Sequence, residues 1–424
     1  MRVLLVTAGS HGDVNPFIAI GRSLVERGHQ AVLMTNPYYR GQVEEAGLGF
    51  IGVGEHVDLK KVHETIPDLM HERKGAKVVL DLLVGKFATE SFRAAREQLE
   101  ARSFDAVVHH HIALGAAWAA EQARVPSAVV VLAPMMWLSR GDLFTPQSWS
   151  PVYPGKLTLW LLHAIKGPML GWFMDPIIHK ARREVGLAKA KREYLRITRG
   201  GTINLGMWSP VLRPPLADDP PQSVICGFPW HDRHGEQETA DERLEAFLAQ
   251  GEPPILFTLG TAAVHVAGDF YEHAAEACRI LGRRGLLLVG PGRPAPGNLP
   301  AGSLAVEYAR FSAVMPRCAV NVHHGGIGST GQALRAGRPT VVIPHAHDQF
   351  DNAARLKRLG VSETLPRPKV TAARLASAIR SMLESQAASP NAHRLTNLMK
   401  SEHGADRAAS EIEKLAPRPS QFES

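Results

Sequence analysis

Cysteine is scarce in this chain of 424 residues: Cys226, Cys278 and Cys318 are the three, an odd number with no CxxC pair. That spacing excludes a disulfide framework and a zinc knuckle, and it fits a reducing compartment. Concentrated basic charge is also missing. Lys and Arg total 48 against 41 Asp and Glu, yet no run of five occurs and no aromatic residues interleave them. The net charge of +7 therefore points to an anionic small molecule rather than to nucleic acid. Long hydrophobic runs are few. Met1 to Thr7 is too short for a signal-peptide core and lacks a small-residue cleavage site, so it reads as a first strand. Leu157 to Met174 is apolar but contains His163, Lys166, Gly167 and Pro168, which argues against a membrane span. An amphipathic helix pair that lines an apolar pocket or touches a membrane surface is expected there. The expected location is the cytoplasm, with peripheral contact at the inner face of the membrane as a further option.

What is present is a repeated strand–helix rhythm. Arg2 to Thr7, Gln30 to Thr35, Asp105 to His109 and Val129 to Leu132 read as strands, with helices between them. Pro16 is expected at a first helical position with Asn15 as its cap. A proline-crowded stretch from Pro210 to Pro229 reads as a linker. Beyond it the rhythm restarts, with strands at Ile255 to Leu259, Leu286 to Val289, Ala319 to Val322 and Thr340 to Ile343. Such alternation predicts two α/β units, each a parallel sheet covered on both faces. The expected division is 1–215, 225–400, and a C-terminal helix in 401–424 that packs back on the first unit. Ligands of open parallel sheets bind beyond the carboxyl ends of the strands, which selects the loops Gly9 to Pro16, Gly260 to Val264 and His323 to Thr330.

The strongest motif runs from Asn321 to Leu334, where a strand ends in two histidines and glycines lead into a helix. Glycines let backbone N–H groups approach a ligand, and the helix start adds positive potential, so the turn forms an anion cradle to which His323 can donate. A tight turn with no ligand is the competing reading. Gly326, Gly328 and Gly331 also match GxGxxG, but they follow a late strand rather than the first of their unit. Next, Asp348 and Gln349 stand at a helix start after a strand that ends at Pro344; they suit a ring of sugar hydroxyls, with helix capping by Asp348 as the alternative. His345 and His347 have no third soft ligand nearby, so no metal site is expected. His109, His110 and His111 alternate faces of a strand and cannot chelate one ion together. His109 and His110 are candidates for an acceptor pocket. The stripe of Trp137, Trp149, Trp160 and Trp172 is core or pocket lining, and Trp137 is counted with that pocket.

HHGG followed by P…DQ…NA.R resembles the donor-binding signature of the family 1 glycosyltransferases, which include bacterial macrolide, sterol-type and rhamnolipid enzymes. GSHGDVNPFIAIGRSLVERGH and YARFSAVMPRCAV resemble the same group, and the likeness is weakest between Gly54 and Lys191. The resemblance implies a GT-B fold, two Rossmann-like domains facing across a cleft. It implies that His323 contacts the nucleotide diphosphate, with Gly325, Gly326, Gly328 and Ser329 as further donors. Gly260 and Thr261 would make the opposing phosphate contact, Tyr308 would stand over the base, and Asp348 and Gln349 would hold the sugar. Asp13 would take the place of the catalytic base, with His11 as the competing candidate and a helix-capping acid as the structural alternative. The implied activity is inverting, metal-independent transfer of a hexose or deoxyhexose from a nucleotide diphosphate sugar (UDP-glucose or dTDP-rhamnose type). The acceptor would be a hydroxyl of an apolar small molecule or lipid. No cofactor is expected beyond that co-substrate. The alternatives are an NAD-dependent oxidoreductase resting on GGIGSTG, a nucleotide-sugar epimerase or hydrolase on the same plan, and a non-catalytic sugar-nucleotide binder.

Overall fold

A computed structural model of the chain describes residues 1–56, 68–69, 74–101, 103–142, 171–200, 203–231 and 242–416. Trp149, Trp160 and residues 157–170 of the apolar stretch lie outside the described residues. The strands are short, nearly continuous apolar runs, which is the signature of parallel strands buried on both faces. The first sheet contains β1 (Arg2–Val6), β2 (Gln30–Thr35), β3 (Gly49–Gly52), β4 (Ala106–His110), β5 (Ser127–Val131), β6 (Ile203–Gly206) and β7 (Ser223–Ile225). Its order is β3-β2-β1-β4-β5-β6-β7, and its pairings are parallel. The second contains β8 (Ile255–Thr258), β9 (Gly285–Leu288), β10 (Leu304–Val306), β11 (Val320–His323), β12 (Thr340–Val342) and β13 (Ser362–Thr364), also parallel, in the order β10-β9-β8-β11-β12-β13. In each sheet the order reverses beside the first strand, between β1 and β4 and between β8 and β11. The loops selected from the sequence leave those strands, at the two topological switch points.

Helices cover both faces. On one face of the first sheet α1 (His11–Glu26) packs on Val3, Leu5 and Val108; on the other, α2 (Phe87–Glu100), α3 (Leu114–Ala123), α4 (171–184) and α5 (Glu193–Gly200) pack on Leu4, Val6 and Val107. The second sheet is covered by α6 (Phe270–Leu281), α7 (Ile327–Ala336), α8 (Gln349–Arg358) and α9 (Ala372–Glu384), followed by α10 (Ala388–Met399) and α11 (Gly404–Glu413). The last of these leaves the second unit. Ala408, Ala409 and Ile412 enter the core under α1, Ser23 donates to Asp406 at 2.6 Å, and Arg27 and His29 meet Glu413 at 3.1 and 2.9 Å.

Three local expectations differ from the structure. The first helix starts at His11, not at Pro16: Ser10 caps it, accepting from the Gly12 N–H while Asp13 accepts from the Ser10 N–H. This reciprocal capping box satisfies two orphan donors, and Pro16 is carried inside the helix. Residues 223–225, within the proline-crowded stretch, form β7, because Ser223 to Ile225 pair with Asn204 to Gly206. The first unit thus extends beyond residue 215. Trp137 is 1% exposed and lies edge-on to Trp208 at 4.6 Å, so it belongs to the core and offers no pocket surface.

That tryptophan pair sits in an apolar cluster shared by the two units. Val129, Val131, Trp137 and Trp208 from the first meet Leu334, Val342, Ala353 and Leu356 from the second. Beside it runs a chain of alternating charge. Asp351 accepts from Arg355 Nε at 2.6 Å, both Arg355 terminal nitrogens donate to Asp142 at 2.9 Å, and Arg213 Nε reaches Asp142 at 3.2 Å. Arg213 then pairs with Asp219. Both arginines are 1% exposed. Removing one member of such a chain leaves buried charge without its partner, at a cost of about 3–5 kcal/mol. Arg355→Ala is therefore expected to destabilise the protein by about 3–5 kcal/mol, measured by chemical denaturation, with the loss appearing in both units together.

Candidate active site

The loop after β1 is built around Asp13. Gly9 has φ +127°, and a Cβ there would stand 2.3 Å from Asp13 Oδ2, so the turn closes over the carboxylate only because residue 9 is glycine. Both Ser10 contacts fall on Oδ2, from the backbone N–H at 2.8 Å and from Oγ at 3.1 Å. The capping role raised from the sequence is thus realised. Burial raises the Asp13 carboxyl to about 6, against the lowering effect of the two Ser10 hydrogen bonds. His11 lies two residues before, its ring edge-on to Tyr38 at 5.9 Å and Tyr39 at 5.1 Å.

At the end of neighbouring β4, His109 and His110 are 1% and 2% exposed. Burial lowers His109 to about 4 and His111 to about 3, and drives His110 down as well, so all three imidazoles are neutral. His110 meets Phe17 of α1 edge-on at 6.0 Å, whereas His109 Nδ1 contacts the His110 carbonyl at 3.1 Å.

In the second unit, His323 closes β11 at 0% exposure. Its Nδ1 accepts from the Gly325 N–H at 3.1 Å, which fixes the proton on Nε2. Burial lowers the ring to about 4, and Nε2 has no hydrogen-bond partner in the described chain. A buried donor without a partner at a strand end is a group prepared for a ligand. His324 has a different task that the sequence did not disclose. A Cβ on Gly260 would lie 2.4 Å from its Cε1, and one on Gly326 would lie 2.5 Å from its Nε2. The ring is wedged between the two glycine turns and sets their separation. Gly328 and Thr261 are exposed, Ser329 is 7% exposed, and Tyr308 is 41% exposed two residues beyond β10.

Asp348 holds the N-cap position of α8 but makes no side-chain cap hydrogen bond. It accepts from Asn352 Nδ2 at 2.7 Å instead. Burial raises its carboxyl to about 7; the Asn352 hydrogen bond opposes this, and the charge of Asp13 adds to it. Carboxylates of the two units therefore share one electrostatic environment. Gln349, paired with Asp348 in the sequence reading, is 4% exposed, and its Oε1 accepts from the N–H groups of His345 and Ala346 at 2.7 and 3.1 Å. That carbonyl braces the loop. Asn352 was missed among the candidates. It is fully buried, and its Nδ2 donates both to Asp348 and, at 2.9 Å, to the Gly325 carbonyl, tying the glycine turn to the Asp348 carboxyl. Its place four residues after Asp348 on one helix face was the available signal. His345 turns to the Ile343 carbonyl at 2.8 Å and His347 to the Leu69 backbone. Among the described residues no group of three or more His, Cys, Asp or Glu could hold a metal ion, and no helix is long and apolar enough to cross a membrane.

Two parallel-sheet units thus turn their switch-point loops toward one another, one offering a carboxylate and the other an anion-ready turn. Comparison with known proteins agrees with this class. Residues 3–137 match the glycosyltransferase family 28 N-terminal domain, and residues 289–415 match the erythromycin biosynthesis protein CIII-like C-terminal domain. O-mycaminosyltylonolide 6-deoxyallosyltransferase of Streptomyces fradiae is 32% identical, the alignment covering 98% of both chains. A sterol 3-beta-glucosyltransferase of Arabidopsis thaliana is 25% identical over 98% of this chain and 68% of its own. The crystal structure of the kitacinnamycin glycosyltransferase superposes with a TM-score of 0.74 at 22% identity, covering 98% of this chain and 99% of that one. The chain belongs to the GT-B glycosyltransferases that include the macrolide and sterol enzymes, which transfer a sugar from a nucleotide donor to a small-molecule acceptor.

Asn352→Ala would leave the Gly325 carbonyl and the Asp348 carboxyl without their shared donor. Donor binding is expected to weaken by about 1–3 kcal/mol. The Asp348 titration should move upward from about 7, because the lost hydrogen bond was lowering it. Calorimetric titration with the nucleotide sugar across pH 5 to 9 measures both (roughly the range over which that carboxyl ionises).

Proposed function

We propose that the chain is an inverting, metal-independent transferase that moves a hexose or deoxyhexose from a UDP or dTDP sugar to a hydroxyl of an apolar acceptor. The observation that carries this reading is the buried His323 Nε2–H, without a hydrogen-bond partner among the described residues, beside the glycine turn that opens α7. His323 Nε2–H and the N–H groups opening α7 bind the pyrophosphate and stabilise the charge that grows on it as the glycosidic bond breaks. Gly260 and Thr261 approach it from the loop after β8, and Tyr308 covers the base. Asp348 accepts from sugar hydroxyls. The Asp13 carboxylate takes the proton of the acceptor hydroxyl as its oxygen attacks the anomeric carbon from the side opposite the diphosphate. His109 and His110, the last two residues of β4, are assigned to the acceptor end. The named acceptors of the two relatives, O-mycaminosyltylonolide and a sterol, support a bulky apolar acceptor. The family leaves the oxidoreductase and epimerase alternatives without support.

Incubation with UDP-glucose, UDP-galactose, UDP-GlcNAc and dTDP-rhamnose, with release of nucleotide diphosphate as the readout, tests the donor. Turnover of one of them with EDTA present is expected; turnover only after a divalent ion is added would overturn the metal-free reading. Asp13 acts as a base only when ionised, so the rate should rise with pH through about 6 and then level off. Asp13→Asn is expected to lower kcat by roughly 100- to 10,000-fold, to abolish that inflection and to preserve donor affinity. Wild-type kcat in this variant would remove Asp13 as the base.

A further inference from the structure

On the first unit, α4 carries an exposed surface to which the proposed transfer assigns no role. Met174, Ile178 and Ala181 point into the core at 2%, 0% and 2% exposure. Their helical spacing turns Trp172, Phe173, Pro176, Lys180 and Arg183 outward as one exposed stripe. Trp172 is 74% exposed and Phe173 57%, and their rings meet edge-on at 4.9 Å. Two adjacent large aromatics standing in water are unusual on a soluble surface and mark an interaction site. The segment that follows folds back on the same helix. His179 Nε2 contacts the Ala190 carbonyl at 2.8 Å, the Arg192 N–H donates to Asp175 at 3.2 Å, and the Arg192 side chain lies beside Gly171. Arg192 is thereby brought beside the start of α4, and exposed Lys189 and Lys191 lie on the same segment, which runs back along that helix. Among the described residues these three, Lys180 and Arg183 form no ion pair, whereas neighbouring Arg182 and Arg196 are held by buried Glu193.

We propose that this patch docks the protein on an anionic lipid bilayer, with Trp172 and Phe173 in the headgroup–acyl boundary and the surrounding Lys and Arg residues against the lipid charge. An aromatic pair flanked by Lys180, Arg183 and Arg192, with Glu184 the one exposed acid of α4, is complementary to that interface, where apolar rings and cations are satisfied together. An acidic protein surface would meet the charge but leave the rings without an apolar phase. The proposal rests on the patch alone and is independent of donor and acceptor identity.

Full-length protein is sedimented with sucrose-loaded vesicles of phosphatidylcholine alone or with about one-third phosphatidylglycerol, enough for a strongly negative surface. The wild type should pellet with the anionic vesicles and stay in solution with the neutral ones. Trp172→Ala/Phe173→Ala should weaken partitioning by about tenfold or more. Lys189→Glu/Lys191→Glu should weaken it by about 30-fold or more. Thermal melts and hydrolysis of soluble donor should match the wild type in both variants, since all four side chains are exposed and none is among the site residues named above. Wild-type protein remaining in solution with anionic vesicles would overturn the proposal. So would unchanged partitioning of either variant: in the aromatic one it would reduce the contact to charge adsorption, and in the charged one it would place the contact elsewhere.

Discussion

The alternating chain of Asp351, Arg355, Asp142, Arg213 and Asp219 is the constraint on which the rest of the molecule depends. It ties α8, through Asp351 and Arg355, to the segment that follows β5 and to the segment that follows β6, alongside the tryptophan cluster. Desolvating so many charges is tolerable only with near-complete pairing, so the relative position of the units is specified narrowly. Asp348 stands one helical turn before the anchored end of α8. Where α8 is fixed, the Asp348 carboxyl and, through Asn352, the glycine turn are fixed too.

The site is therefore assembled by layers of mutual dependence rather than by a few ligand contacts. Gly9 yields space to Asp13, Gly260 and Gly326 yield space to His324, and Gly325 lets the Gln349 backbone come close. Gly328, by contrast, has open space where a Cβ would stand, so no neighbour requires its smallness. Gly331 illustrates the converse. It completed a GxGxxG pattern in the sequence, yet a Cβ there would meet the Phe228 ring at 2.7 Å, so its smallness serves packing of the linker against α7.

The fold was legible because its signals are local and repeated: short β-branched runs, glycine stops, and turns rich in small residues between them. The candidate loops were legible because a parallel sheet directs them to one edge. What escaped were features decided by competition or by distance. Pro16 looked like a helix start, but Ser10 and Asp13 supply a reciprocal cap that begins the helix earlier. The proline-crowded linker hid β7, because three residues of edge strand carry too little pattern to outweigh their neighbours. The sequence left Trp137 between core and pocket lining, and its packing on the distant Trp208 places it in the core. The spacing of Asn352 from Asp348 could suggest their pairing, but its bond to the distant Gly325 carbonyl has no signature in either loop.

The course of the chain after α10 has a consequence for how the protein is divided. Because α11 rejoins the first sheet, with Ala408 and Ile412 beneath α1 and Glu413 gripping Arg27 and His29, the polypeptide crosses between the units twice. Neither unit is a single contiguous stretch. Severing the chain near residue 230 would strip α1 of its cover and expose Val14, Phe17 and Ile20 of the same cluster more than any loop cut would suggest. Helices α1 and α11, though far apart in number, thereby share one core.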